Sequence, residues 1–401
     1  MAKNNESMRL LYVPALLDGI ANVTKRCLIE GNRFGLYKGK YDPAWFTDLS
    51  LFEHDHFLTS YYYAKKEPNF REKLRVKEGI TFWADSGGYT VATKGAKIDP
   101  REALKWQEHN SDIAFTLDHP PTIVTAGNRI SPGKNERVTT DVFEQHALRT
   151  RENNKIFYEE RTREDLIIYD VMHGYDIKTF DLWWDYTARD YRFEGFGTGP
   201  KPAGDVLLQA MSIMYLWDKG VTERVHLLGV SGITVIPALA WASQYIDKIS
   251  FDSTSYGYGS LTRAYVYPEK IRYYTHFGNK YNTKEKPIEE MYCTCPVCRD
   301  FKDPSYFIGG GSTWPGLLLS LHNLWCVKEY VAELDRIVNV EKDKEKFVQF
   351  IYKHTGNWAD RTMHAVNFIE DCVKYGFHKA YDLYFQNHDF NKPKYKRKIL
   401  F

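Results

Sequence analysis

The sequence has almost no excess of either charge: 54 Lys and Arg face 52 Asp and Glu, leaving a net charge of only +2. Bulk composition therefore announces no nucleic-acid partner, and any such partner has to be held by a local basic face. No run of about 18 apolar residues occurs, so no membrane span is expected. The opening Met-Ala-Lys-Asn-Asn-Glu-Ser is polar, and no apolar core of signal-peptide length follows it. Six cysteines in 401 residues do not make a disulfide scaffold. These absences lead to the expectation of a soluble, cytoplasmic protein. There is no Gly-x-x-x-x-Gly-Lys loop, which argues against nucleoside triphosphate chemistry. Gly195-Phe196-Gly197-Thr198-Gly199 misses the spacing of the dinucleotide fingerprint. No strand end carries the His-x-His or carboxylated-lysine pattern of a metal-dependent barrel hydrolase, so a catalytic metal is not expected there.

What is present is an alternation. Short strand-like segments fall at 10–13, 56–60, 81–84, 113–117, 166–171, 193–196, 225–229 and 248–251. Segments of helical character lie between most of them, at 100–110, 140–158, 177–189, 205–219 and 233–245. Strands alternating with helices mean βαβ units and a parallel sheet. Eight such units point to an α/β fold, a (β/α)8 TIM barrel, with a doubly wound open sheet as the runner-up. Residues 28–55 show no clean helical period. The expected organisation is a barrel over 1–290, a zinc-binding subdomain over 291–330, and a C-terminal helical segment over 331–401 whose basic tail packs on the barrel. Hydrophobic residues at 43% and charged residues at 26% suit a globular chain with a sizeable core. The 29 tyrosines and 23 phenylalanines serve mainly packing, with a minority available to stack on bases.

The stretch 81–90, Thr-Phe-Trp-Ala-Asp-Ser-Gly-Gly-Tyr-Thr, reads as a buried strand ending in an open turn with an acid at its tip. The same design recurs at Asp118, at His173-Gly174, at the glycine-rich turn 195–199, at 229–232 and at Asp252. In a barrel, residues at the carboxyl ends of the strands converge on one mouth. A single strand-terminal Asp is more readily a cap or loop residue than a catalyst; three at one end of a barrel are harder to dismiss.

After residue 290 the chain changes character. Cys293-Thr294-Cys295-Pro296-Val297-Cys298 places three thiols within six residues. A tetrahedral zinc ion satisfies them as thiolates, and His322 in Ser-Leu-His-Asn-Leu-Trp supplies the fourth ligand. A filled Cys3His sphere makes this one zinc per chain, structural rather than catalytic. His276 and His354 are rival fourth ligands. Cys27, Cys326 and Cys372 stand alone and read as core thiols.

Taken in order, Asp-Ser-Gly-Gly-Tyr at 85–89, Asp118, the turn at 195–199, Leu-Leu-Gly-Val at 227–230, Phe-Asp at 251–252 and Cys-x-Cys-x-x-Cys with His-Asn-Leu at 293–324 form a pattern. It resembles the tRNA-guanine transglycosylases, zinc-containing (β/α)8 enzymes that exchange guanine for a 7-deazaguanine. The resemblance implies Asp252 as the nucleophile on ribosyl C1′ and Asp85 as the second carboxylate, moving a proton to and from the base. It implies Asp118 as the acceptor for the purine's N–H groups, with His173 standing where the family has a glutamine. Gly197 and Thr198 fall on the turn whose backbone faces O6, and Ser86 and Gly87 border the base. Retaining exchange needs such a pair of carboxylates, and the target nucleotide must be unpaired or flipped.

The sequence departs from the tRNA enzymes next to the pocket. Thr90 follows Tyr89 where they have Gln, and Ser-Thr-Ser-Tyr-Gly-Tyr-Gly follows Asp252 where they have Cys-x-x-Pro-Thr-Arg. These changes look more like the DNA 7-deazaguanine transglycosylase branch. The expected substrates are therefore DNA, with tRNA as the alternative, and a 7-deazaguanine base such as preQ0. A non-catalytic zinc-containing subunit that binds nucleic acid is the third reading. The sequence beyond the zinc motif does not read as a separate RNA-binding domain, so the longer archaeal arrangement is not expected. The family's habit of pairing through the zinc region implies a homodimer, and an ATPase or another modification-system protein stays open as a partner. Phosphate contacts are expected from the segments 65–77 and 263–286 and from the tail 392–398, with Arg263, Arg272, Lys394 and Lys396 as candidates.

Overall fold

Eight parallel strands build one barrel wall. They are β1 (Leu10–Pro14), β2 (His56–Ser60), β3 (Thr81–Asp85), β4 (Ile113–Phe115), β5 (Ile167–Met172), β6 (Gly195–Thr198), β7 (Arg224–Leu227) and β8 (Lys248–Ser253). Their order around the sheet is β1-β8-β7-β6-β5-β4-β3-β2. The end strands β1 and β2 meet at a parallel bridge between Ala15 and Leu58, where the Leu16 N–H donates to Leu58 O at 2.8 Å. That seam excludes the open doubly wound sheet. The computed structural model describes residues 8–16, 42, 44–121, 138–199, 204–230, 232–257, 264–271, 274–276, 291–308 and 314–386. Among them, no helix is long and apolar enough to cross a membrane.

Residue alternation decides which side chains reach the barrel axis. On β3, Phe82 and Ala84 join the large core between wall and helices, whereas Trp83 joins a separate cluster inside the barrel. The inner cluster also holds Val13, Leu58, Ile113, Phe115, Tyr169 and Val171. Large rings fill this axis because β6 gives up its side chains on that face. A Cβ on Gly195 would lie 2.7 Å from the Tyr169 ring, and one on Gly197 would lie 3.1 Å from Phe115. Each buried aromatic contributes on the order of 2–3 kcal/mol, so the bare strand exchanges its own burial for that of its neighbours. The expected open turn at 195–199 is accordingly a strand over Gly195–Thr198, and its glycines serve packing.

Helices cover the outside of the wall at the expected places. Asp99 caps Pro100–Asn110, Asp176 and Thr179 close a capping box on Ile177–Trp183, and Asp205 caps Val206–Asp218. After β8 the chain forms an antiparallel pair, β9 (Ala264–Val266) and β10 (Tyr274–His276), and a long helix, Trp314–Asp335. The buried Asp335 carboxylate accepts from Arg9 N at 3.0 Å and Leu10 N at 2.9 Å, tying this helix to the start of β1. The C-terminal region is helical, and Ala359–Tyr375 packs on Val206–Asp218 and Val235–Ala242.

Candidate functional site: carboxylates at the barrel mouth and a thiol cluster beside it

The alternation that puts Trp83 on the axis also aims Asp85, two residues on, at the carboxyl-end mouth. On β8, Ile249 and Phe251 face the helices, which leaves Ser250 and Asp252 inward. Asp85 stands opposite Ser60, and Asp252 opposite Val13. The two acids feel each other across the mouth. Burial, with the charge of Asp118 and then Asp252 beside it, pushes the Asp85 carboxyl up to about 7; the adjacent Ser60 hydroxyl and Gly87 N–H oppose this without cancelling it. Asp85, Asp118 and Asp252 thus share one electrostatic neighbourhood at one end of the barrel.

Asp118 is 5% exposed and already has a partner. His173 Nε2 lies 2.7 Å from its Oδ2, and because a carboxylate only accepts, the imidazole proton sits on Nε2. The other carboxylate oxygen presses on Gly88, where a Cβ would fall 1.9 Å from Oδ1 and 2.7 Å from the Asp118 carbonyl. Gly88→Ala is therefore expected to push Asp118 out of place. We expect a stability loss of roughly 1–3 kcal/mol, which a thermal melt of Gly88→Ala measures.

Gly87 has φ +96°, and a Cβ there would stand 3.0 Å from Tyr62 Cβ and from Ile98 Cδ1, so both the turn and its packing call for glycine. The Ser86 hydroxyl is buried and donates to Thr116 O at 3.0 Å, which makes it a tie between β3 and the chain after β4. Gly197 faces the Phe115 ring. The Thr198 side chain is buried and its hydroxyl has no hydrogen-bond partner among the described residues.

Sequence reasoning missed two groups. His226, on β7 between the outward Val225 and Leu227, is completely buried on the axis. Its Nε2 lies 3.2 Å from Asp252 Oδ1, an oxygen that also accepts from Gly229 N at 2.6 Å. Asp170 faces the other way, accepting from Asn154 Nδ2 at 2.7 Å, and burial pushes its carboxyl up to about 7. The sequence also holds a His-x-His at 54–56, but it sits at the amino-terminal end of β2. There His54 Nε2 meets Tyr12 O at 3.0 Å, and burial lowers His56 to about 4.

The thiols gather as expected. One ligand atom from each of Cys293, Cys295, Cys298 and His322 lies within 4.8 Å of the others, and all four residues are buried. His322 Nδ1 is 3.3 Å from both Cys295 Sγ and Cys298 Sγ, while Nε2 meets Val266 O at 2.9 Å. A backbone carbonyl only accepts, so it fixes the proton on Nε2 and turns the Nδ1 lone pair toward the sulfurs. The Cys295 N–H points at Cys293 Sγ (3.4 Å) and the Cys298 N–H at Cys295 Sγ (3.3 Å), as suits thiolates. This donor set fits one tetrahedral ion of zinc type. Asn323 beside it donates to Ala264 O at 2.9 Å and accepts from Val266 N at 3.0 Å, so the cluster anchors β9 on the long helix. Of the rival ligands, His354 is buried elsewhere, 3.4 Å from Ile271 N through Nδ1, and His276 is the last residue of β10. Cys326 is not a lone core thiol: its sulfur stands 3.6 Å from His322 Nε2, one helical turn on. Cys372 is in the core as expected, and Cys27 lies outside the described residues.

No family model matches the sequence. Among curated proteins, the tRNA-guanine(15) transglycosylase of Thermococcus onnurineus (strain NA1) is 27% identical over 306 residues, covering 72% of this chain and 46% of that protein. That of Pyrococcus abyssi (strain GE5 / Orsay) is 26% identical over 318 residues, covering 74% of this chain and 47% of that protein. The chain is similar to tRNA-guanine transglycosylases. It spans about half the length of these relatives.

The expected phosphate contacts fare differently. Arg263, Arg272, Lys394 and Lys396 lie outside the described residues. In the segment 65–77, Arg71 pairs with Asp112 at 2.7 Å, Arg75 with Asp42 at 3.0 Å, Lys77 with Glu53 at 3.6 Å, and Lys73 with Glu67. Most of that segment's charge is thus answered within the fold. The ammonium groups of Lys65 and Lys94 lie over the rings of Tyr62 and Tyr63 near the ends of β2 and β3.

Proposed function

We propose that this protein exchanges guanine for a 7-deazaguanine base in DNA through a covalent bond to Asp252. The observation that carries the reading is the pairing of unlike carboxyl groups at one mouth. Asp85, raised to about 7, can carry a proton, whereas Asp252 Oδ1 is held by two donors and its Oδ2 has no hydrogen-bond partner among the described residues. Two carboxyl groups with separated tasks are what retaining glycosyl transfer requires. In the first step Asp252 Oδ2 bonds to C1′ while the C1′–N9 bond breaks, and the departing guanine takes the proton of Asp85. In the second, the incoming base returns a proton to Asp85, its nitrogen bonds to C1′, and the Asp252 ester bond opens. Two inversions restore the configuration.

Base selection falls to Asp118, with His173 holding one of its oxygens and leaving Oδ1 toward Gly88. Cys293, Cys295, Cys298 and His322 would hold a zinc ion, which would supply a structural anchor and take no part in bond exchange. The DNA reading rests on the departures beside the pocket. After Asp252 the chain makes a serine turn, with Ser253 Oγ and Ser255 Oγ 2.7 Å apart and Tyr256 donating to Ala15 O at 3.0 Å. Transfer to tRNA is the second reading, favoured by the names of the similar proteins.

The test is incubation of the purified protein with labelled preQ0 and either duplex DNA or tRNA, without added nucleotide. Label in DNA supports the proposal, label in tRNA alone moves it to the second reading, and label in neither overturns exchange of this base.

Exchange should also depend on pH through Asp85. The acid form is lost above about 7, so kcat/KM for the nucleic acid, whose step uses that proton, is expected to drop about tenfold per pH unit on the alkaline side. Asp85→Asn should lower the rate at least about a hundredfold and remove that limb. The stability sign is fixed too. A carboxyl whose folded pKa lies above its unfolded value stays protonated in the fold while the unfolded chain ionises. Its contribution is complete at acid pH, declines through the interval up to about 7, and is level beyond.

A further inference from the structure

The buried imidazole of His226 lies against the nucleophile candidate, as one of the two groups on Asp252 Oδ1. His226 is 0% exposed, and its ring stands among Phe115 at 5.0 Å, Trp83 at 5.2 Å and Tyr169 at 6.5 Å between centroids. A polar ring placed in an aromatic box is costly unless both nitrogens are satisfied. They are: Nδ1 lies 2.9 Å from Ser250 Oγ, and Nε2 lies 3.2 Å from Asp252 Oδ1. The three side chains form a line along the inner faces of β7 and β8, Ser250–His226–Asp252, directly under the mouth. In the wall itself, His226 is in register with Ser250.

We propose that His226 is the positioning residue of the nucleophile, donating its Nε2–H to Asp252 Oδ1 so that Oδ2 is presented to the sugar carbon. The inference rests on the exchange reading above and deepens it. Direction of donation follows from the partners. A carboxylate oxygen offers no proton, so the ring supplies the one between them. Nδ1 then has a lone pair, which the Ser250 hydroxyl meets as donor at 2.9 Å, closer than its other acceptor, Val225 O at 3.5 Å. The Gly229 N–H, 2.6 Å from the same Oδ1, is the second arm of the grip. With both donors on one oxygen, rotation of the carboxylate would break two hydrogen bonds, while Oδ2 has none to lose among the described residues. Holding the attacking oxygen within a few tenths of an ångström of its line of approach is the kind of restraint that raises kcat rather than binding. The ring does not touch the sugar and transfers no proton in the reaction.

The test compares His226→Phe, which keeps a ring and loses the donor, with His226→Gln, which keeps an N–H. Thermal melting and zinc content identify folded variants. The expected result is a kcat for base exchange at least about tenfold lower in His226→Phe with KM within about threefold of wild type, and partial recovery in His226→Gln. Equal kcat in wild type and folded His226→Phe would overturn the proposal, as would equal losses in the two folded variants. A second measurement needs no exchange at all: nitrogen NMR of 15N-histidine-labelled protein, with the His226 signal assigned by its absence in His226→Phe. It should show Nε2 protonated and Nδ1 bare in wild type, with the preference weakened in Ser250→Ala. A proton on Nδ1 in wild type would overturn the assignment even in an active enzyme. Inactivity of wild type on every nucleic acid, with the expected NMR pattern intact, would instead count against exchange and leave the Ser250–His226–Asp252 line established.

Discussion

Asp252→Asn should abolish base exchange, lowering kcat by about a thousandfold or more, while the protein melts close to wild type. Asn matches the shape of Asp, and its amide oxygen can still accept from Gly229 N and His226 Nε2, the two donors that Asp252 Oδ1 now uses. What disappears is the anionic oxygen that would bond to C1′ in the proposed exchange, and an amide nitrogen in its place is no nucleophile. Labelled-base incorporation measures the loss, and a filter or mobility assay measures nucleic-acid binding alongside. Loss of exchange with binding intact separates an enzyme from a zinc-containing binding subunit. Unchanged exchange would remove Asp252 from the chemistry and with it the covalent route.

Removal of a metal held by the Cys3His cluster is expected to have the second large effect, and it falls on folding. Structural zinc contributes about 10–16 kcal/mol in zinc-finger peptides, comparable with the whole net stability of about 5–15 kcal/mol of an ordinary domain. Here the cluster joins the segment 293–298 to the helix Trp314–Asp335, and Asn323 extends the grip to β9. Chelation, or Cys295→Ser, is expected to lower the melting temperature by well over 10 °C and to open residues 291–308 to limited proteolysis. Calorimetry and proteolysis with and without added zinc check this. A chelated protein that melts like the loaded one would show that the four donors are a packing cluster and hold no structural ion.

Most of the fold was legible because strand and helix periods differ and the chain keeps them apart. The segment 56–60 is β2 to the residue, and 100–110 is a helix to the residue. The glycines of β6 misled because glycine marks a turn in a sequence read alone. Only the neighbouring strands reveal that Tyr169 and Phe115 need the space. The carboxylates of the mouth were readable as strand-end acids, and the metal ligands as close thiols. His226 was not, since a lone histidine between Val225 and Leu227 says only that it faces the opposite side from them. That it meets Asp252 depends on the register of β7 against β8, which no local pattern encodes. The ion pairs of the basic segment 65–77 were hidden for a similar reason. Its partners Asp112, Asp42 and Glu53 come from other parts of the chain.

The packed aromatic axis has a consequence for what the sugar ester meets. Trp83, Phe115, Tyr169 and His226, each no more than 2% exposed, plug the barrel beneath Asp252. Water has no column to climb from the far end of such a plug. In the proposed exchange, solvent and incoming base would then both reach the ester from the mouth side, and whatever covers that side would decide between transfer and hydrolysis. On that reading, a solid floor favours swapping bases over leaving abasic sites behind.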